Sequence, residues 1–112
     1  VEGDVRVGMP RFNAENLSRN LGLLAELEAV AGELEVTSGQ LALAWLRARG
    51  DDIIPIPGTR SIAHMRENLA ADGVKLDAAG VARLDALFAP ERISGARYGE
   101  ALQAATDTEE FA

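Results

Sequence analysis

The sequence predicts an α/β segment that is mostly helical and contains one buried strand. Apolar residues recur at three- and four-residue steps over long stretches, and capping residues stand where those stretches begin, which favours helices. Ile53, Ile54 and Ile56 form a short apolar run, typical of a strand buried on both faces of a parallel sheet, although Pro55 removes one ladder donor. A helix that leads into such a strand is half of a βαβ unit, which indicates the α/β class.

Apolar spacing and end signals locate the individual elements. Leucines at helical spacing between Leu17 and Leu27 predict an amphipathic first helix. Thr37 and Gln40 fit the capping-box pattern, so a second helix is expected to start there, with Trp45 on its core face. The predicted helices lie near 14–35, 37–50, 61–71 and 77–89, and the predicted strand lies near 52–56.

Composition excludes several classes of protein. The chain has 112 residues and a net charge of −7, which argues against a nucleic-acid surface or an anionic membrane surface. It has no cysteine, so disulfides and thiolate metal sites are excluded, and the adjacent pair Asp51-Asp52 is typical of a solvated loop. No apolar run approaches the roughly 18 residues of a membrane span. We therefore expect a soluble, cytoplasmic protein with no metal site and no nucleic-acid or membrane partner.

The stretch from Pro57 to Asn68 carries the densest polar chemistry. Small residues follow the apolar run, Arg60 adds a full charge and a helix begins at once, which is the layout of a phosphate site beyond the end of a strand. Arg60, His64 and Asn68 follow one another at four-residue steps and so share one helical face, where they could hold a phosphate and an adenine. From the pattern alone, an exposed polar helix face with an ordinary cap is slightly favoured.

Several short motifs follow one another along most of the chain. They are Arg11-Phe12, Glu15-Asn16-Leu17, Gln40 to Leu46 (QLALAWL), Asp52 to Thr59, Glu67-Asn68 and Arg97-Tyr98. In this order and at these spacings, the motifs resemble the aldo-keto reductase family. Pro-Gly-Thr-Arg at 57–60 is closest to the bacterial, NADP-dependent branch of that family.

The resemblance implies a fold and an activity. These enzymes are (β/α)8 barrels that move a hydride between NADPH and the carbonyl of an aldehyde or ketone, and such a barrel needs about 250 residues. The chain is therefore expected to be the C-terminal portion of one, with residues 1–90 in the barrel domain and 91–112 as a poorly ordered tail.

The resemblance also implies cofactor contacts. Residues Gly58 to Arg60 would hold the 2′-phosphate of NADP, His64 would lie beside the adenine and its phosphate, and Glu67 and Asn68 would contact the adenine edge. The implied cofactor-binding residues are Pro57, Gly58, Thr59, Arg60, His64, Glu67 and Asn68.

Catalytic residues are not expected in this segment. The family's catalytic Asp, Tyr, Lys and His come from the first half of the barrel, and Lys75, His64 and Tyr98, each the only one of its kind here, match none of those motifs. We therefore expect the isolated chain to be inactive, and either marginally stable or self-associated through its unpaired strand. A non-catalytic helical module for binding or oligomerisation is the alternative function.

Overall fold

The protein is described by a computed structural model over residues 3–105, and helices dominate that range. The four helices predicted from periodicity and caps are confirmed, each ending up to three residues inside its predicted bounds. The helices of residues 3–105 are α1 at Ala14–Glu33, α2 at Ser38–Arg47, α3 at Ile62–Ala70, α4 at Ala78–Leu87 and a short α5 at Glu100–Gln103. Short 3-10 turns lie at Val5–Gly8, Pro10–Phe12, Ala71–Gly73 and Pro90–Arg92. Within the same range, no helix is both long and apolar enough to cross a bilayer.

The described residues form two compact units. Residues 26–87 make the larger unit, and residues 3–25 together with 88–105 make the smaller one. Helix α1 begins in the smaller unit and ends in the larger one. The predicted cofactor residues all belong to the larger unit.

The core of the larger unit comes from small and branched apolar side chains. Leu41 of α2 and Leu84 of α4 are completely buried. Helix α3 contributes no buried residue, so polar contacts must define much of its position. The buried apolar residues of the described chain are Leu27, Val30, Ala31, Leu41, Ala44, Ala71, Leu84 and Leu87.

Helix α2 begins with the predicted capping box, which is confirmed. Thr37 Oγ1 accepts a hydrogen bond from the Gln40 N–H at 3.1 Å, and Gln40 Oε1 accepts one from the Thr37 N–H at 3.0 Å. Two otherwise unsatisfied N–H groups at the start of the helix are thereby paired.

Near its end, α2 is joined to α4 by a polar cluster. The Trp45 indole N–H donates to Asp85 Oδ1 at 2.8 Å, and the Arg49 guanidinium donates to both oxygens of the same carboxylate at 2.7 and 2.6 Å. The guanidinium carbon of Arg49 also lies 5.8 Å from the centre of the Trp45 ring. Trp45 was predicted in the core, and it is only partly buried because its polar edge faces this cluster.

Contrary to the prediction, no strand forms at residues 52–56 in this chain. Residues 53–59 have no regular secondary structure, and no segment within residues 3–105 pairs with them. A strand needs a neighbour to accept and donate its ladder hydrogen bonds, and Pro55 and Pro57 have no N–H to offer. Ile54 and Ile56, expected in a sheet interior, are 81% and 93% exposed.

In the smaller unit, side-chain amides hold the segment that follows α4. The Asn20 amide pairs with the backbone of Ser94 in both directions, accepting from its N–H at 2.9 Å and donating to its carbonyl at 3.0 Å. Arg11 Nε donates to the Gly95 carbonyl at 3.0 Å. The start of the predicted tail is thus attached to residues of the N-terminal segment, whereas its acidic end at 106–112 lies outside the described residues.

Helix α1 ends in a Schellman motif that contains a strained residue. The Val36 N–H donates to the Ala31 carbonyl at 3.0 Å, and the Glu35 N–H donates to the Gly32 carbonyl at 3.2 Å. Glu35 has a φ of 55°, in the left-handed region where glycine is the usual residue. The side chain of Glu35 therefore costs backbone energy that a glycine would not.

We expect Glu35→Gly to stabilise the protein. Relief of the left-handed conformation, worth about 1–2 kcal/mol, should exceed the added freedom of glycine in the unfolded chain, worth about 0.5–1 kcal/mol. The net gain should be about 0.5–1 kcal/mol in urea unfolding followed by circular dichroism. Glu28→Gly, an exposed site inside α1, is the control and should cost about 1 kcal/mol. Equal losses from both variants would contradict the strain at Glu35.

Candidate functional site

The turn before α3 is organised by its own hydroxyl groups. Ser61 Oγ accepts from the His64 N–H at 3.4 Å, and Thr59 Oγ1 accepts from the Ser61 N–H at 3.1 Å. The N–H groups of Ile62 and Ala63, in the first turn of α3, have no acceptor within the helix. The turn therefore presents backbone donors beside small side chains, an arrangement that suits an anion.

A small pocket of about 230 Å³ lies beside this turn and is called the turn pocket below. Its walls combine backbone, a hydroxyl, an imidazole, a carboxylate and an amide, and all five of its lining residues are among the seven implied by the sequence. The lining residues are Gly58, Thr59, His64, Glu67 and Asn68.

Pro57 and Arg60 do not line the turn pocket. Pro57 lines an adjoining pocket of about 440 Å³, which shares Thr59 and Asn68 with the turn pocket and whose wall also includes Met65 and Leu69 of α3. Arg60 lies two residues before the first residue of α3, so it does not continue the helical face of His64 and Asn68 as its spacing suggested.

Arg60 and Arg66 differ from the other three arginines of the larger unit, because neither has an ion-pair partner among residues 3–105. Arg47 pairs with Asp72, Arg49 with Asp85 and Arg83 with Glu33. Arg60 is exposed, and among residues 3–105 it has no hydrogen-bond or ion-pair partner. Next to the backbone donors of the turn, it leaves a full positive charge available to a ligand.

Glu67 is tied to the start of α2. Its Oε1 accepts from the Thr37 hydroxyl at 2.6 Å, and its backbone carbonyl accepts from Gln40 Nε2 at 3.1 Å. The capping-box pattern predicts only the mutual bonds of Thr37 and Gln40 and does not predict these contacts. One signal was available: a glutamine at this capping position has an N–H donor left over, which a glutamate would lack.

Metal ligands do not assemble around this site. In the part of the chain that the structure describes, no three side chains of the types His, Cys, Asp and Glu come together as a possible metal centre.

Comparison with known proteins gives one consistent family. The model of the Aldo/keto reductase family matches residues 2–89. The chain is 44% identical to Aldo-keto reductase yakc of Schizosaccharomyces pombe, whose name specifies NADP(+), over 87% of this chain and 28% of that protein. It is 37% identical to Probable aldo-keto reductase 1 of Glycine max, over 80% of this chain and 26% of that protein.

A third relative is Aldo-keto reductase str7 of Strobilurus tenacellus, 36% identical over 84% of this chain and 28% of that protein. The chain thus spans little more than a quarter of the length of these relatives. They come from fungi and a plant, so the bacterial branch expected from Pro-Gly-Thr-Arg stays a prediction. No solved structure gives a match.

We expect Gly58→Ala to leave the fold intact. A Cβ at Gly58 would meet nothing within 4 Å, and the residue does not have a positive φ. Its free energy of unfolding should change by less than about 0.5 kcal/mol in thermal melting. Any loss of nucleotide affinity in this variant would then report on the ligand rather than on folding.

Gly95→Ala is the matched control for that measurement. Gly95 has a φ of 85°, and a Cβ there would lie 2.5 Å from Asn16 Nδ2. Its substitution should destabilise the protein by about 1–3 kcal/mol. A Gly58→Ala variant as unstable as Gly95→Ala would mean that Gly58 is needed by the fold.

Proposed function

Because this chain belongs to the aldo/keto reductase family, we propose that it is the C-terminal, cofactor-binding portion of an NADP-dependent oxidoreductase. The complete enzyme reduces an aldehyde or ketone by hydride transfer from NADPH. The chain spans about a quarter of its relatives, and we propose that the hydride-transfer machinery lies in the rest of the enzyme. This portion supplies affinity for the adenosine end of the cofactor.

The observation that carries the proposal is the turn pocket together with the unpaired Arg60. Backbone N–H groups at a helix start, the Thr59 hydroxyl and a free guanidinium are the groups that bind a phosphate. Gly58 has no side chain to keep that phosphate from the backbone. His64 offers a ring for stacking against a base.

Glu67 and Asn68 suit the adenine edge, which carries an amino donor next to a ring-nitrogen acceptor. A carboxylate can accept from the amino group, and an amide can both donate and accept. Both residues are partly buried and line the same pocket as Thr59. The pocket therefore has groups for both halves of an adenosine 2′-phosphate.

Residues 52–56 are proposed to be a barrel strand in the complete enzyme. Ile54 and Ile56 project into solvent in this chain, and exposed branched side chains next to unpaired backbone are suited to association with other strands. We propose that residues 1–90 belong to the barrel domain, since the family model matches residues 2–89, and that residues 91–112 form a tail.

Arg60→Ala should weaken NADPH binding by about 1–3 kcal/mol, because a charge-assisted hydrogen bond to the 2′-phosphate is lost. NADH, which lacks that phosphate, should be affected much less. Fluorescence titration of the full-length enzyme with both cofactors measures the difference. Arg66→Ala is the control, since Arg66 is also exposed and unpaired among residues 3–105 but lies within α3 and not in the turn that precedes it. Equal losses of affinity for NADPH and NADH would show that Arg60 does not contact the 2′-phosphate.

The isolated chain should self-associate through the exposed run Ile53, Ile54 and Ile56. Size-exclusion chromatography with light scattering should give species larger than a monomer, and Ile54→Lys with Ile56→Lys should return the chain to a monomer. A monodisperse wild-type monomer with a sharp, cooperative melt would instead mean that the chain is a self-sufficient domain.

A further inference from the structure

Thr37 and Gln40, at the start of α2, each form one hydrogen bond within the capping box and a second one to Glu67 of α3. The Thr37 hydroxyl accepts from the Gln40 N–H and donates to the carboxylate of Glu67. The Gln40 amide accepts from the Thr37 N–H and donates to the backbone carbonyl of Glu67. Both residues of the α2 capping box are therefore hydrogen-bonded to the same residue of α3.

We propose that Thr37 and Gln40 are positioning residues for the cofactor site, which they serve through Glu67. The inference rests on the proposed function of the turn pocket. Neither Thr37 nor Gln40 lines that pocket, so neither is expected to touch the ligand.

The geometry explains why two bonds to one residue are needed. The hydrogen bond to the Glu67 carbonyl fixes the position of the α3 backbone along its helix axis. The hydrogen bond to the Glu67 carboxylate fixes the rotamer of that side chain. Because α3 contributes no buried residue, apolar packing does little to define its rotation. The next residue, Asn68, therefore keeps its place on the pocket wall through contacts that Glu67 makes.

The same contacts orient the carboxylate for a ligand. The Thr37 hydroxyl uses one lone pair of Glu67 Oε1, and within residues 3–105 no cation pairs with this carboxylate. The remaining lone pairs are free to accept from the amino group of an adenine. Thr37 thereby fixes the orientation of the carboxylate.

Capping and positioning can be separated at Thr37. Thr37→Asp keeps an oxygen that caps α2, because aspartate is a preferred residue at this position. It removes the donor to Glu67 and places two carboxylates side by side. Thr37→Ser keeps both the acceptor and the donor and is the conservative control.

In the full-length enzyme, Thr37→Asp should raise the KM for NADPH by about 3- to 10-fold, the range for one lost hydrogen bond. The kcat should stay within about twofold, because binding and not chemistry has changed. Inhibition by adenosine 2′,5′-bisphosphate, which carries only the adenosine half of the cofactor, should weaken by the same factor. Thr37→Ser should match the wild type in all three measurements.

Gln40→Glu is the second, independent variant. It converts the box to its commonest form and so keeps α2 capped, but it replaces the donor to the Glu67 carbonyl with an oxygen. The same rise in KM with an unchanged melting temperature is expected. If Thr37→Asp lowers the melting temperature, the KM of Gln40→Glu tests the positioning role instead.

Unchanged cofactor parameters in both Thr37→Asp and Gln40→Glu would overturn the positioning role. A fall in melting temperature and in kcat for both variants would also overturn it, since the box would then matter only for folding. Arg60→Ala separates the two proposals. If Arg60→Ala discriminates NADPH from NADH while both box variants are silent, the site stands and the positioning role fails. If Arg60→Ala is silent as well, the proposed function itself fails.

Discussion

Helix α2 is held to its neighbours at both ends, and the geometry of the candidate cofactor site depends on that attachment. At its start, two side chains bond to Glu67 of α3. Near its end, Trp45 and Arg49 share the carboxylate of Asp85 on α4. Leu41, between the two ends, is completely buried. The helix is therefore fixed along its length, and the site helix α3 takes its position from it.

The helices could be predicted from the sequence because their signals are local. Thr37 and Gln40 stand three residues apart, and their mutual bonds form within one turn. The start of α4 has a similar local signal, because the Asp77 carboxylate accepts a hydrogen bond from the Gly80 N–H at 2.7 Å. The ends of the helices were predicted less accurately. Helix α1 stops two residues before its predicted end because Glu35 adopts a left-handed conformation, which a glutamate does not predict.

The strand could not be predicted correctly because its stability is not local. An apolar run shows that residues 52–56 are suited to a buried strand, but a ladder needs partners elsewhere, and none pairs with them within residues 3–105. The same limit applies to α1, where Leu21 and Leu24 continue the predicted apolar stripe and yet stay exposed. Sequence patterns thus record which surfaces are suited to burial, without recording what covers them.

The features of the candidate site also divide into local ones, which the sequence predicts, and long-range ones, which it does not. The turn and the first turns of α3 are contiguous in sequence, so the grouping of Thr59, His64 and Asn68 on one pocket could be anticipated. The contact between Thr37 and Glu67 joins residues thirty positions apart and was not anticipated. Spacing rules reach about one helical turn, whereas this contact depends on how two helices pack.

The cluster at the end of α2 gives the protein an optical property. The chain contains one tryptophan, and the indole N–H of that residue is bonded to a carboxylate on α4. The fluorescence of Trp45 therefore arises from a single place in the molecule, the junction of α2 and α4. Separation of these helices would move the indole from a carboxylate and a guanidinium into bulk water. Its emission is thus a built-in spectroscopic probe for the docking of α4, readable without any attached dye.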